Sequence, residues 1–302
     1  MMETVLITGG SGLIGQALSE LLMQHGYTVR HLSRTVKGNE KYPTFKWDLS
    51  QNELDSKALE NVNHIIHLAG ENVGEGRWTA ARKKRILSSR VDTVALIQSK
   101  LQPNQLKSFI SASGISYYGT KTTENIFKES DPKGTDFLAD ISVQWEKKAF
   151  EMSSLASRVV ALRTGVVLSS KGGALEKLQK PIKIGIGSAL GSGKQYMPWI
   201  HIKDLCNLYL EAVQNTKLEG VYNAVSSQHT TNLEMTQGVA KVFGKKLWAP
   251  KVPAFILKLL FGEMAQIILE GSRIDNSKIK AAGIAFEFED LDGALNDLIS
   301  KN

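Results

Sequence analysis

Three glycines, Gly9, Gly12 and Gly15, stand three apart in Thr8-Gly9-Gly10-Ser11-Gly12-Leu13-Ile14-Gly15. An apolar β-type run precedes them and a helical run follows. This spacing suits a pyrophosphate. The turn is tight, the backbone must come close to the phosphates, and the helix must pack near the strand. The helix beginning at Leu13 and Ile14 would add unsatisfied N–H groups and the positive end of its dipole. The expected ligand is a dinucleotide. An NAD site usually carries Asp or Glu about 20 residues further on, at the end of the second strand. Here that place reads Leu32-Ser33-Arg34, without an acid. A hydroxyl and a guanidinium fork suit a 2′-phosphate, which favours NADP (NADPH) over NAD. Asp48 and Leu49 follow the third strand, where Asp48 would accept from the adenine amine.

Other chemistry is poorly supported. Cys206 is the only cysteine, so neither an intrachain disulfide nor a thiolate zinc cluster can form. It lies in a helix-like stretch and reads as a packed thiol. His64 and His67 are three apart on a strand and point to opposite faces, as packing residues do; no metal site is expected. Arg82-Lys83-Lys84-Arg85 reads as a solvated helix face. No aromatics interleave with it as a base-stacking platform needs, so nucleic acid rests on the net charge of +7 alone.

These residues need a scaffold, and the chain has one. Its 302 residues are 42% hydrophobic and 22% charged, an ordinary globular balance. Strands are expected at Thr4–Thr8, Tyr27–Leu32, Phe45–Trp47, His64–Leu68, Ser108–Ser111 and Arg158–Leu162. Helices are expected at Leu13–Gln24, Ala81–Lys100 and Thr135–Ser153. Strands separated by helices imply βαβ crossovers, and the continuous apolar runs imply a parallel sheet covered on both faces. The fold class is α/β, a Rossmann-type doubly wound parallel sheet with a smaller, mostly helical C-terminal substrate lobe. Residues 1–165, with about 199–223, would form the dinucleotide-binding part, and residues 166–198 and 224–302 the lobe. No basic n-region opens the chain, and Val252–Phe261 falls short of the roughly 18 apolar residues of a membrane span. A cytoplasmic protein with no membrane partner is expected.

Taken together, these motifs resemble the extended short-chain dehydrogenase/reductase superfamily, and within it the NADP-binding, sugar-nucleotide-epimerase-like "epimerase family protein" branch. The likeness runs over nearly the whole chain. It is carried by Gly9–Gly15, His67-Leu68-Ala69-Gly70-Glu71-Asn72, Arg77-Trp78, Ser89-Arg90, Ser111-Ala112-Ser113-Gly114 and Tyr117-Tyr118-Gly119. Phe137-Leu138-Ala139, Trp145-Glu146, Leu162–Leu168 and Pro198–Ile202 complete it. The resemblance implies that His67, Leu68, Ala69 and Gly70 wall the adenosine side and that Ser111 and Ala112 line the nicotinamide side. It places Glu71, Arg77 and Arg163 at carboxyl ends of strands facing the cofactor. It also implies a homodimer.

The catalytic pattern departs from the superfamily. There, a Tyr-x-x-x-Lys pair one helical turn apart favours a phenolate that acts as base. With Glu146 aligned to the acid common in that helix, Leu138 fills the tyrosine slot and Ser142 the lysine slot. Tyr42–Lys46 contains Pro43, and Tyr117–Lys121 is interrupted by Gly119. Ser113 with Tyr118 is the remaining polar pair. The Gly-rich 185–193 stretch, Trp199 and His201 would border the substrate cleft. The expected function is an NADP-dependent oxidoreductase or epimerase acting on a small substrate, anionic or nucleotide-linked. The alternative is an NADP(H)-binding regulatory or redox-sensing protein without turnover.

Overall fold

The computed structural model describes residues 2–300. Strand β1 (Thr4–Thr8) leads to helix α1 (Leu13–Gln24), β2 (Thr28–Ser33), β3 (Thr44–Asp48) and the short β4 (Glu53–Leu54). Next come β5 (His64–His67), α2 (Ala80–Gln98), β6 (Ser108–Gly114), β7 (Ile126–Phe127), α3 (Phe137–Phe150) and β8 (Val159–Thr164). They are followed by β9 (Val166–Leu168), α4 (Ala174–Lys183), β10 (Trp199–His201), α5 (Ile202–Gln214) and β11 (Gly220–Ala224). The remainder carries α6 (Asn232–Val242), α7 (Ala254–Phe261), α8 (Gln266–Leu269), β12 (Arg273–Ile274), α9 (Ser277–Ala281) and α10 (Leu291–Ile299).

The main sheet has eight strands in the order β11-β8-β6-β5-β1-β2-β3-β4. Its pairs are parallel except β3 with β4 at the edge. This is the doubly wound sheet expected from the sequence. The chain leaves β1 towards β2 and later returns to its other side as β5. The strand order therefore reverses at β1, the place where such sheets open a crevice for ligands.

Strand alternation explains the two layers. Val5 and Ile7 point one way, against Leu18 and Leu22 of α1 and Leu205 and Tyr209 of α5. Leu6, Ile65 and Phe109 point the other way, against Val94 and Ile97 of α2 and Ala149 of α3. Each such side chain is almost fully buried, which stabilises the fold by about 1.5–3 kcal/mol apiece. Local signals set the helix ends. Asp136 caps α3 by accepting from the N–H of Ala139, and Lys147 and Lys148 sit in its last turn, where they suit the dipole. Gly26, at φ +82°, ends α1 in the left-handed conformation that favours glycine.

Residues 171–198 contain α4, which leads into the glycine-rich stretch. Two small parallel pairs, β9 with β10 and β7 with β12, tie distant parts of the chain to the sheet's carboxyl side. Among the described residues no helix is long and apolar enough to cross a membrane.

Candidate active site

The β1–α1 turn is built as the glycine spacing requires. Gly9 has φ +72°. A Cβ on Gly15 would lie 2.5 Å from the Gly9 carbonyl oxygen, so helix and turn can pack this closely only without a side chain. A Cβ on Gly12 would meet only that same carbonyl, at 3.2 Å. Gly12 is the N-cap of α1 and offers no side-chain acceptor, so the first-turn N–H groups point outwards uncapped. This turn forms one wall of a groove of about 420 Å³.

The groove gathers Ser33 and Arg34 from the end of β2, Leu49 after β3, and Leu68, Ala69, Gly70 and Glu71 after β5. Arg34 is exposed at its rim. A dinucleotide fits these residues: a glycine cradle at an uncapped helix start, and a hydroxyl with a guanidinium at the far end. Arg85, Ser88 and Ser89 of α2 complete the wall. The basic run is thus not wholly a solvated face, because Arg82 and Arg85 both pair with Glu71, at 2.9 and 3.4 Å. The signal was present in the sequence: residues 82, 85 and 89 share one helix face.

Several expected contacts go elsewhere. Leu13 lines neither hollow and approaches Gly173. The Asp48 carboxylate faces its own turn, accepting from the hydroxyl and N–H of Ser50, which holds it below its usual range. His67 lies behind the groove, fully buried, with Nδ1 2.8 Å from Thr8 Oγ1. The Thr8 hydroxyl also accepts from the N–H of Ala69, so this pair fixes the wall loop after β5. Burial pushes the His67 imidazole down to about 3. Ser111 is buried and donates to the Ala112 carbonyl. Arg77 is exposed and reaches away, donating to the carbonyls of Leu259 and Leu260 in α7.

A second hollow of about 490 Å³ adjoins the groove, and Leu68 lines both. Ile14, Ala112 and Ser113 wall it from the sheet. Leu138, Ile141, Ser142 and Trp145 wall it from α3, and Ile267, Glu270, Ser272 and Ile274 close it from the C-terminal part. Leu138 and Ser142 do occupy one helix face towards the cavity. That face offers an alkyl group and a hydroxyl where the superfamily has phenol and ammonium.

Ser113 reaches the cavity, but its proton is committed. Its Oγ donates to Glu146 Oε1 at 2.6 Å. Glu146 is in turn gripped by Arg163, through Nε to Oε1 and through the second arm to Oε2, both at 2.8 Å. All three residues are buried. Burial opposes the Arg163 charge, and Glu146 more than offsets it, so the guanidinium is held above its usual range. Arg163 lies under the cavity wall and its charge is matched by Glu146, so it is not spare for a phosphate.

Tyr118 does not reach the cavity. Its hydroxyl donates to Asn223 Oδ1 at 2.8 Å and accepts from Arg163 at 2.9 Å. Burial raises the phenol to about 12, although Arg163 and Asn223 counteract this. A proton-exchanging pair of Ser113 and Tyr118 is therefore not assembled. Trp199 and His201 are likewise fully buried and border no cleft. His201 accepts from the N–H of Lys203 at the start of α5 and stacks on Phe288, with centroids 3.8 Å apart.

Comparison with known proteins agrees with this geometry. The family model described as the NAD dependent epimerase/dehydratase family matches residues 5–224, and a domain of unknown function matches residues 252–298. The mouse epimerase family protein SDR39U1 is 32% identical over 98% of this chain and 99% of its own. The Bacillus subtilis epimerase family protein YfhF is also 32% identical, over 98% of both chains. The crystal structure of human SDR39U1 (isoform 2) with NADPH superposes with a TM-score of 0.89 at 29% identity, over 99% of this chain and 100% of that one.

Proposed function

This chain belongs to the NAD dependent epimerase/dehydratase family, and from that premise we propose that it is an NADP(H)-dependent oxidoreductase or epimerase of the extended short-chain type. Its substrate is a small molecule, of the sugar-nucleotide kind or a related anion. The observation that carries this reading is the junction at Leu68. There, a groove with a glycine cradle opens onto a largely apolar cavity with Ser113 in its wall. The NADPH named in the human relative's structure supports the choice of cofactor.

The roles follow from the residues. The uncapped start of α1 and the Gly9–Gly15 turn hold the pyrophosphate. Ser33 and Arg34 hold the 2′-phosphate, with Arg34 as a planar fork. Leu49, Ala69 and Gly70 pack on the adenosine, and Ile14 and Ala112 shape the nicotinamide end. When bound, the nicotinamide exchanges a hydride with a substrate carbon.

Ser113 acts at the substrate oxygen. Because its own hydrogen lies on Glu146, its lone pairs are what it offers to the cavity. It therefore accepts from a substrate hydroxyl and sets that carbon's orientation. In oxidation the substrate hydroxyl's proton passes to Ser113 Oγ as the serine's own proton passes to Glu146 Oε1, and in reduction both move back. The apolar face of Leu138, Ile141 and Trp145 keeps water from the reacting atoms.

The test is calorimetric titration with NADPH, NADP⁺, NADH and NAD⁺, followed by a screen of sugar nucleotides and small hydroxy acids read by nicotinamide absorbance. NADPH preference, with turnover that Ser113→Ala reduces while NADPH binding is unchanged, is the expected result. Tight NADPH binding with no turnover on any compound would favour the binding-only role. No dinucleotide binding would overturn both.

A further inference from the structure

Among the described residues three arginines are buried, Arg90, Arg158 and Arg163. Two of them are satisfied within the protein. Arg158 donates to the carbonyls of Ala212, Val213 and Leu218. Arg163 has the Glu146 carboxylate and the Tyr118 hydroxyl. Arg90 differs. It is 8% exposed, and its guanidinium makes one hydrogen bond, from Nη1 to the Ile86 carbonyl one turn back in its own helix. The carboxylate whose field reaches it, Glu71, is already engaged by Arg82 and Arg85. One face of the guanidinium lies over the Trp145 ring, 4.9 Å from its centroid.

The position is also specific. Arg90 lines the cavity together with Asn72, Ser113 and Trp145, and is absent from the groove's lining. Gly70 makes room for it: a Cβ there would lie 2.9 Å from Arg90 Cζ. A desolvated cation, stacked on an indole and offering the rest of its fork to a cavity, is arranged for an incoming anion. Burial lowers its pKa to about 10, with the Glu71 carboxylate partly opposing that shift.

We propose that Arg90 is the anchor for an anionic group of the substrate, a carboxylate or phosphate seated in the cavity beside Ser113. The inference rests on the proposed dinucleotide reading and deepens it. In that reading the cofactor's phosphates lie along the groove and only its nicotinamide end comes to the cavity, so the anion that Arg90 awaits arrives with the substrate. The planar fork held by Trp145 suits two oxygens of one group.

The probe is inorganic phosphate, added to NADPH-saturated protein so that the groove is filled, with binding read by calorimetry and thermal shift. Saturable phosphate binding that weakens at least about tenfold in Arg90→Gln, with NADPH affinity unchanged, is the expected result. Arg90→Lys keeps the charge without the fork. It should fold even if Arg90→Gln does not, and should bind phosphate with intermediate affinity. If either variant instead weakens NADPH tenfold and leaves phosphate unaffected, Arg90 serves the cofactor's pyrophosphate and the proposal is overturned. It is equally overturned if phosphate does not bind the wild type, or binds wild type and both variants alike. Should the wild type bind no NADPH, the dinucleotide reading fails by itself. The same phosphate titration, run on the protein without NADPH, then still decides the role of Arg90.

Discussion

The Ser113 hydroxyl sits 2.6 Å from Oε1 of Glu146 and donates its hydrogen bond to it. This contact joins the cavity wall to a buried ion pair. Behind Glu146 stands Arg163, and behind Arg163 stand Tyr118 and Asn223. The serine is thus the outermost member of a chain of polar groups that begins under the sheet's carboxyl edge. Its orientation is fixed before any ligand arrives.

That chain should be stiff and costly to break. Glu146→Leu leaves the Arg163 charge buried without its carboxylate, and urea unfolding should show a loss of about 3–5 kcal/mol. The double variant Glu146→Leu/Arg163→Met should recover much of that loss. A coupling energy below about 0.5 kcal/mol in the resulting cycle would contradict the arrangement.

Arg34 should decide cofactor choice. Arg34→Ala removes a charge-assisted contact of about 1.5–3 kcal/mol, so NADPH affinity should fall roughly 10- to 150-fold. NADH, which has no 2′-phosphate, should bind both proteins alike. Calorimetry with the two nucleotides reads the difference directly.

The glycine turn should tolerate no side chain at its tightest point. In Gly15→Ala the new Cβ would stand 2.5 Å from the Gly9 carbonyl oxygen and 2.6 Å from the Gly10 Cα, both main-chain atoms. Stability should drop by about 1–3 kcal/mol as the helix start is pushed away. NADPH binding should fall with it, because the displaced N–H groups are the proposed phosphate site.

Acid should destabilise the protein through its buried histidines. Burial depresses His67 to about 3 and His31 to about 4. In the unfolded chain both take up a proton near pH 6.5. Between about pH 6.5 and pH 4 the unfolded state therefore binds more protons, and stability falls as pH falls. Each histidine contributes a slope of up to about 1.4 kcal/mol per pH unit, and above pH 6.5 neither contributes any. Urea unfolding between pH 7.5 and 5 tests this, and His31→Gln should flatten the dependence by up to about 1.4 kcal/mol per pH unit, leaving the part due to the other buried imidazoles.

Cys206 should be silent to thiol reagents in the native state. It is 3% exposed in the core beneath α1 and the sheet, and burial raises its thiol to about 12. Labelling by an aromatic disulfide reagent should be absent at neutral pH and become complete in denaturant. Rapid labelling of the folded protein would contradict this placement.

The sheet and the phosphate turn were legible in the sequence because both depend on local pattern. The run Thr4–Thr8 is buried at every position, and Gly9–Gly15 must be small whatever surrounds it. What the sequence did not reveal was where long polar side chains spend their hydrogen bonds. The resemblance sets Arg77 and Arg163 alike as cations facing the cofactor, yet one reaches α7 and the other is matched by Glu146. Tyr118 stands five residues after Ser113, but the 3-10 turn Ile115–Tyr118 carries its hydroxyl to Asn223, 105 residues away in sequence. In sequence, Trp199 and His201 read as bordering the cleft together with the glycine-rich stretch. The pairing of β9 with β10, which buries them, leaves no mark in a three-residue strand.

The pairing of β7 with β12 has a consequence for the order in which the protein is made. Every strand of the main sheet precedes residue 225, whereas Ile267, Glu270, Ser272 and Ile274 of the cavity wall follow later in the chain. At roughly 5–20 residues per second, a growing chain can assemble the sheet and the dinucleotide groove before that wall leaves the ribosome. During this interval Leu138, Ile141 and Trp145 face an open side. The nascent protein can hold its cofactor before it can enclose a substrate, and the bound dinucleotide would steady the half-built site until β12 docks on β7.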